Sequence, residues 1–383
     1  MHRQKQDSLY INLMVSVGLI SMLSGFSLYY IKYLNTFIHI CPIVMMLLLV
    51  LNRNYLFKNE NFKYAILYCG AWFFIYGFSA IGNQHQVDFS RYVFVLWGGI
   101  FIALKDKIRF EIFDKFVRIL AFILCLSIVE FVITSLIGKF SNLGTVVREV
   151  NQEPFANLVL NLVSLRGNIA RFQSLAEEPG VIGTITAFLI FVLDEKKYKK
   201  ERIIFGISGI LSFSMAFYVI SIFYLIVIKH NIKMIVLSFF VLLVFFCFFR
   251  VQFDKFIVSR VIENRIDNRT HAKFNFLFER AYQNGELWLG KGYAAHSEKA
   301  SGDGGNAGAK VFIYAFGIWG LLTMFVVYNY ILLNMAGNRK EFCFFIAVFW
   351  LSFYQRDNIY FAPNIIVFFS FYLQKKYINL SEE

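Results

Sequence analysis

The feature that most constrains this chain is a succession of apolar runs, each near the length of a membrane crossing, joined by short basic links. A helix needs about 20 mostly apolar residues to span a bilayer core, fewer where neighbours cover its ends. Such runs occupy residues 9–31, 34–51, 62–81, 92–104 and 116–137, then 179–193, 203–228 and 234–249, then 311–335, 342–354 and 360–373. Two polar stretches interrupt them, 138–178 and 250–310. Charged residues make up only 16% of the 383, where a soluble domain carries about a quarter. Aromatic residues at 19% suit helix surfaces and interfacial belts. The sequence therefore predicts an all-α fold: a polytopic transmembrane helical bundle, one integral membrane domain over 1–383, with two large loops at 138–178 and 250–310. The polar start at residues 1–7 precedes a full-length apolar run without a clear small-residue cleavage site, which predicts a retained first helix.

The net charge of +13 has two readings, a nucleic-acid binder or a topology signal plus an anionic substrate, and the distribution of Lys and Arg favours the second. With the N-terminus inside, alternation puts 52–63, 105–118 and the cluster DEKKYKKER at 194–202 on the inner side. The run 203–228 decides the rest. Crossing once, it would put Lys229 and Lys233 outside; as a re-entrant hairpin bending near Ser212–Ser214, it returns them inside with Arg339, Lys340, Lys375 and Lys376. In the hairpin arrangement the inner segments hold 21 of the 38 basic residues and the short outer links only Lys32, Arg91 and Arg356, the asymmetry of the positive-inside rule. This predicts about twelve membrane segments with both termini inside and both large loops outside. A bend at membrane depth is tolerated only where protein or a polar cavity covers it.

Several chemistries find no support. Cys41, Cys69, Cys125, Cys247 and Cys343 all lie in apolar runs without a C-x-x-C pair, so neither a disulfide framework nor a thiolate metal site is expected. A phosphate-binding G-x-x-x-x-G-K-[ST] loop, H-E-x-x-H and a D-x-D pair are missing. Glu130 is the clearest acid inside an apolar run; interhelical hydrogen bonding is its simplest role. A flippase or transporter would carry more buried charge, inverted repeats and smaller outer loops.

The outer loops hold the candidate site. The first closes on RFQSLAEEPGVIG, residues 171–183. Pro179 suits the first position of a helix, and Glu178 then occupies the N-cap, where a negative charge suits the helix dipole. Locally this also reads as an ordinary helix start. The second loop carries Arg260, Arg265, Arg269 and Arg280, the first three partly along one helical stripe. Arginine offers a planar, permanently charged fork that fits phosphate oxygens. The alternative is a solvated amphipathic helix whose acids Glu263, Asp267 and Glu279 pair off these cations. Trp288–Tyr293 is a glycine-containing turn, His296 follows it, and 301–308 is a flexible polar tip.

The pattern Arg171-x-x-Ser174-x-x-x-Glu178-Pro179 resembles the signature that ends the first large periplasmic loop in the O-antigen polymerase and ligase superfamily. The order of features is similar too: about a dozen helices, a serine-containing kinked hairpin (here 211–214), a second large loop with a Leu-Gly-x-Gly turn (here 289–292), and a small-residue turn in the next helix (here 316–320). Gly180 stands where many members have Asn, and Glu177 duplicates the acid. The resemblance implies a bacterial inner-membrane, GT-C-like glycosyltransferase, a Wzy-type repeat-unit polymerase that is metal-independent, inverting and without a cofactor. Its substrates would be undecaprenyl-diphosphate-linked oligosaccharides among membrane lipids, with a chain-length regulator as partner and no nucleic acid. By the same resemblance Arg171 and Arg269 would face the departing diphosphate, Arg260, Arg265 and Arg280 would bind substrate, and Glu177, Glu178 or His296 would be the base. An O-antigen ligase, transferring glycan to lipid A core, shares the donor chemistry and is the nearest alternative; a lipid-linked oligosaccharide flippase is the alternative of another class.

Overall fold

The computed structural model describes residues 2–26, 34–82, 89–137, 145–148, 153–157, 160–164, 172–174, 176, 178–226, 250, 272–292, 308–336, 339–355 and 362–379. The fold is predominantly helical, and the chain divides into two compact units, Met1–Phe116 with Arg269–Glu383, and Val117–Asn268. Among the described residues two helices are long and apolar enough to cross a membrane, α6 (Asp106–Ile137) and α11 (Gly308–Ala336).

The first unit contains α1 (His2–Phe26), α2 (Leu34–Leu51), the single turn α3 (Arg53–Leu56), α4 (Asn59–Gly82), α5 (Phe89–Ala103) and the start of α6. From the C-terminal part come α10 (Ala272–Gln283), a 3-10 turn at Glu286–Trp288, α11, α12 (Arg339–Gln355), α13 (Ala362–Ser370) and α14 (Leu373–Asn379). Small residues let α4 and α5 approach closely: a Cβ on Gly98 would lie 2.5 Å from the Tyr68 hydroxyl, and one on Gly99 would collide with the Cys69 sulfur. Tyr68, Tyr328 and Phe369 form an aromatic cluster with centroids 5.6–6.3 Å apart.

One end of this unit is ionic. Asp106 pairs with Arg109 at 2.7 Å and with Lys58 and Lys376 at 3.2 Å each. Arg109 is buried and also donates to the Phe369 carbonyl at 2.9 Å. Burial pushes the Asp106 carboxyl up, but Arg109, Lys376 and Lys58 outweigh it and hold it down to about 2. Burial likewise lowers the Lys58 ammonium, and Asp106 with Glu60 more than reverses this. Three segments assigned to the inner side by charge, 52–63, 105–118 and 375–376, thus meet at one end of the unit. The apolar run 360–373 is broken at Phe371–Tyr372, where Gln374 N–H and its side-chain amide both turn back to the Phe371 carbonyl. The break lets Lys376 reach Asp106.

The second unit holds the rest of α6, α7 (Pro179–Val192), α8 (Lys199–Leu211) and α9 (Met215–Tyr224). A three-stranded antiparallel sheet, β1 (Thr145–Arg148), β2 (Glu153–Asn157) and β3 (Leu162–Ser164), occupies the first large loop. This is a local departure from the all-α expectation. The strands are three to five residues long, too short for periodicity to reveal in a polar loop. Pro154 sits in the central strand opposite Val147, but β3 pairs only from Phe155 onward, so its missing N–H removes no ladder bond on that side.

The run 203–228 does fold back. Helix α8 ends at Leu211, residues 212–214 turn, and α9 returns until Arg202 at the start of α8 meets Tyr224 at the end of α9, 3.1 Å apart. Near the turn the Tyr218 hydroxyl donates to the Ile210 carbonyl and the Phe217 ring lies directly on Gly209. At 13 and 10 residues the two helices measure about 20 and 15 Å, each short of a hydrocarbon core of about 30 Å.

Candidate functional site

In the second unit the signature segment is pinned by its backbone. Phe172 is fully buried, packs edge-on against Phe131 at 5.6 Å, and its N–H donates to the Leu211 carbonyl at 3.3 Å. Ser174 adopts φ 49, an uncommon left-handed conformation for a residue with a side chain. Its hydroxyl lies 2.7 Å from that of Ser127 on α6. Glu178 is extended at φ −143, ψ 145, Pro179 opens α7, and the Val181 N–H donates to the Glu178 carbonyl at 3.0 Å. The N-cap position is the anticipated one, yet the Glu178 side chain makes no capping hydrogen bond; it is half-buried.

The re-entrant turn lies against the helix that the signature opens. A Cβ on Gly183 of α7 would run into the Ser214 side chain and lie 2.8 Å from the Ser212 hydroxyl. Phe213 at the tip also has a left-handed φ of 49. Two left-handed residues thus stand in adjoining segments, a kind of strain that clusters at functional sites. The Gln173 amide nitrogen and the Ser208 hydroxyl are buried and have no hydrogen-bond partner among the described residues.

Glu130 has a structural task. Its carboxylate accepts the Leu160 N–H at 3.0 Å and the Asn161 amide at 2.6 Å, while Asn161 also donates to the Ser127 carbonyl and the Ser127 hydroxyl to that of Leu160. One turn of α6 thereby holds both the sheet-bearing loop and the signature segment. Ser127 escaped the sequence reading. Its signal was a second polar residue three positions before Glu130 in an otherwise apolar helix.

In the first unit two glycine turns interlock. Gly290 and Gly317 have φ +79 and +78, and a Cβ on either would overlap the other's backbone. Gly317 breaks α11, and the carbonyls of Tyr314 and Ala315 accept the N–H groups of Lys291 and Gly292 at 2.7 and 2.9 Å, with the Ser79 hydroxyl on Ala315 at 2.9 Å. Beside this crossing α10 buries Phe274 and Ala281, with Leu277 and Phe278 partly buried, against Val311 and Tyr314 of α11. That is an i, i+3, i+4, i+7 stripe. Arg280 lies exposed on the outward face.

Of the sequence-derived site residues, Glu178 and Arg280 are described, one in each unit. Arg171, Glu177, Arg260, Arg265, Arg269 and His296 lie outside the described residues. No family model matches the chain, and neither a curated protein nor a solved structure matches it.

Proposed function

We propose that the chain is a bacterial inner-membrane polysaccharide polymerase that works on undecaprenyl-diphosphate-linked oligosaccharides. The observation that carries the reading is the docking of the Ser174–Glu178–Pro179 segment beside the Ser212–Ser214 turn, two of the features whose order along the chain carries the resemblance. The interlock of Gly290 with Gly317 supports it in the same way. Twelve membrane segments with both large loops periplasmic follow from the charge distribution, and the meeting of Lys58, Asp106, Arg109 and Lys376 at one end fits that arrangement.

In this reaction the terminal sugar hydroxyl of a new lipid-linked unit attacks the anomeric carbon of the growing chain. The bond from that carbon to the diphosphate oxygen breaks, and its electron pair leaves with undecaprenyl diphosphate. Arg171 and Arg269 stabilise the charge that develops there, as preorganised cations do, while Arg260, Arg265 and Arg280 hold the substrate. The hydroxyl proton passes to a carboxylate, Glu178 or Glu177, or to His296. Glu178, in extended backbone at the mouth of α7, suits the role. A chain-length regulator is the expected protein partner.

The test is the surface-polysaccharide ladder of cells whose only polymerase is this chain. Arg171→Ala and Arg269→Ala should each abolish the ladder with the protein still inserted. Intact ladders in both would remove the diphosphate clamp.

A further inference from the structure

The basic loop 194–202 carries more than a topology signal. Its two leading acids are committed within the fold: Asp194 accepts the Lys196 and Lys197 backbone N–H groups at 3.0 and 2.8 Å, and Glu195 pairs with Arg202 at 3.1 Å and accepts the Tyr224 hydroxyl at 2.8 Å. Lys196, Lys199 and Lys200 are exposed and make no ion pair among the described residues. On α8, at about 100° per residue, Lys199, Ile203, Ile207 and Lys200 fall within one stripe about 100° wide, and Glu201 points away from it. Ile203 and Ile207 are 56% and 44% exposed. The surface is thus cationic at one level and apolar immediately beside it.

We infer that this face is a binding site for an anionic phospholipid, its headgroup phosphate held by Lys196, Lys199 and Lys200 and its acyl chains lying on Ile203 and Ile207. Charge complementarity selects the lipid class: basic clusters at the membrane boundary attract anionic headgroups, and the isoleucines require an occupant with tails. The inference rests on the membrane reading but not on the transferase chemistry.

The full chain, purified in detergent, is titrated with phosphatidylglycerol or phosphatidylcholine and bound lipid is counted by native mass spectrometry. The wild type should prefer phosphatidylglycerol, and K196Q/K199Q/K200Q should lose affinity by about fivefold for each lysine removed, whereas the triple Lys→Arg variant keeps it. Millimolar inorganic phosphate should leave bound lipid in place; displacement by phosphate alone would show that the tails contribute nothing and overturn the lipid site. Equal binding of both lipids by the wild type, or undiminished phosphatidylglycerol binding in the glutamine variant, would also overturn it. Retention of the chain in carbonate-washed membranes tests the membrane reading separately.

Discussion

Ser174 and Glu130 show how single polar side chains in an apolar setting hold the candidate site. Ser174→Ala removes one partner of a buried hydroxyl pair and should cost about 1 kcal/mol of stability, read as a lowered thermal-unfolding midpoint in detergent. Glu130→Gln replaces a carboxylate that accepts two N–H groups and should cost about 1–3 kcal/mol. Its ladder should fall only in proportion to the folded protein recovered; a stable, fully folded Glu130→Gln without a ladder would return Glu130 to the chemistry. Asp106 gives a pH signature. Its folded carboxyl is held down to about 2, against an ordinary value of about 3.9. Its contribution is therefore complete above about pH 4 and disappears as pH falls toward 2. Asp106→Asn leaves the buried Arg109 charge without its carboxylate, a loss of about 2.6 kcal/mol, the worth of a carboxyl held at about 2 instead of about 3.9. The gap in unfolding midpoint between wild type and Asp106→Asn should close over that acid window.

At the scale of elements, the apolar runs were legible because hydropathy and length are local. Helix α2 covers the run 34–51 from end to end, and α7 opens at Pro179. The fold-back at 212–214 was legible only through charge, since 203–228 is long enough to cross once. What sequence could not reveal depends on partners distant in the chain. The break at Phe371–Tyr372 brings Lys376 to Asp106, 270 residues away. The kink at Gly317 follows from the Gly290 backbone lying against it. Gly317→Ala places a Cβ 2.6 Å from the Leu289 carbonyl carbon at a positive φ, and should destabilise by more than the ~1 kcal/mol that ordinary glycine-to-alanine changes involve, read in the same unfolding assay. Reporter fusions at Lys229 and Lys233 should read cytoplasmic; a periplasmic readout would reject the hairpin topology.

For the whole molecule, the exposed surface tells most. Phe73, Phe74, Phe122, Val129, Val326 and Leu351 are each more than half exposed, a pattern ordinary for a helix surface in lipid and costly in water. Of the candidate site, the signature and the glycine turns could be found in sequence because they need particular residues at fixed spacing. The anchoring of the signature by Ser127 could not, because it joins α6 to Ser174, 47 residues on. The central claim is repeat-unit polymerisation, and the most direct measurement is complementation. The chain is expressed in a strain lacking its own polymerase, and surface polysaccharide is resolved on a gel. The ladder of repeat lengths should return; a lone single-repeat band, with the protein present in the membrane, would contradict polymerisation.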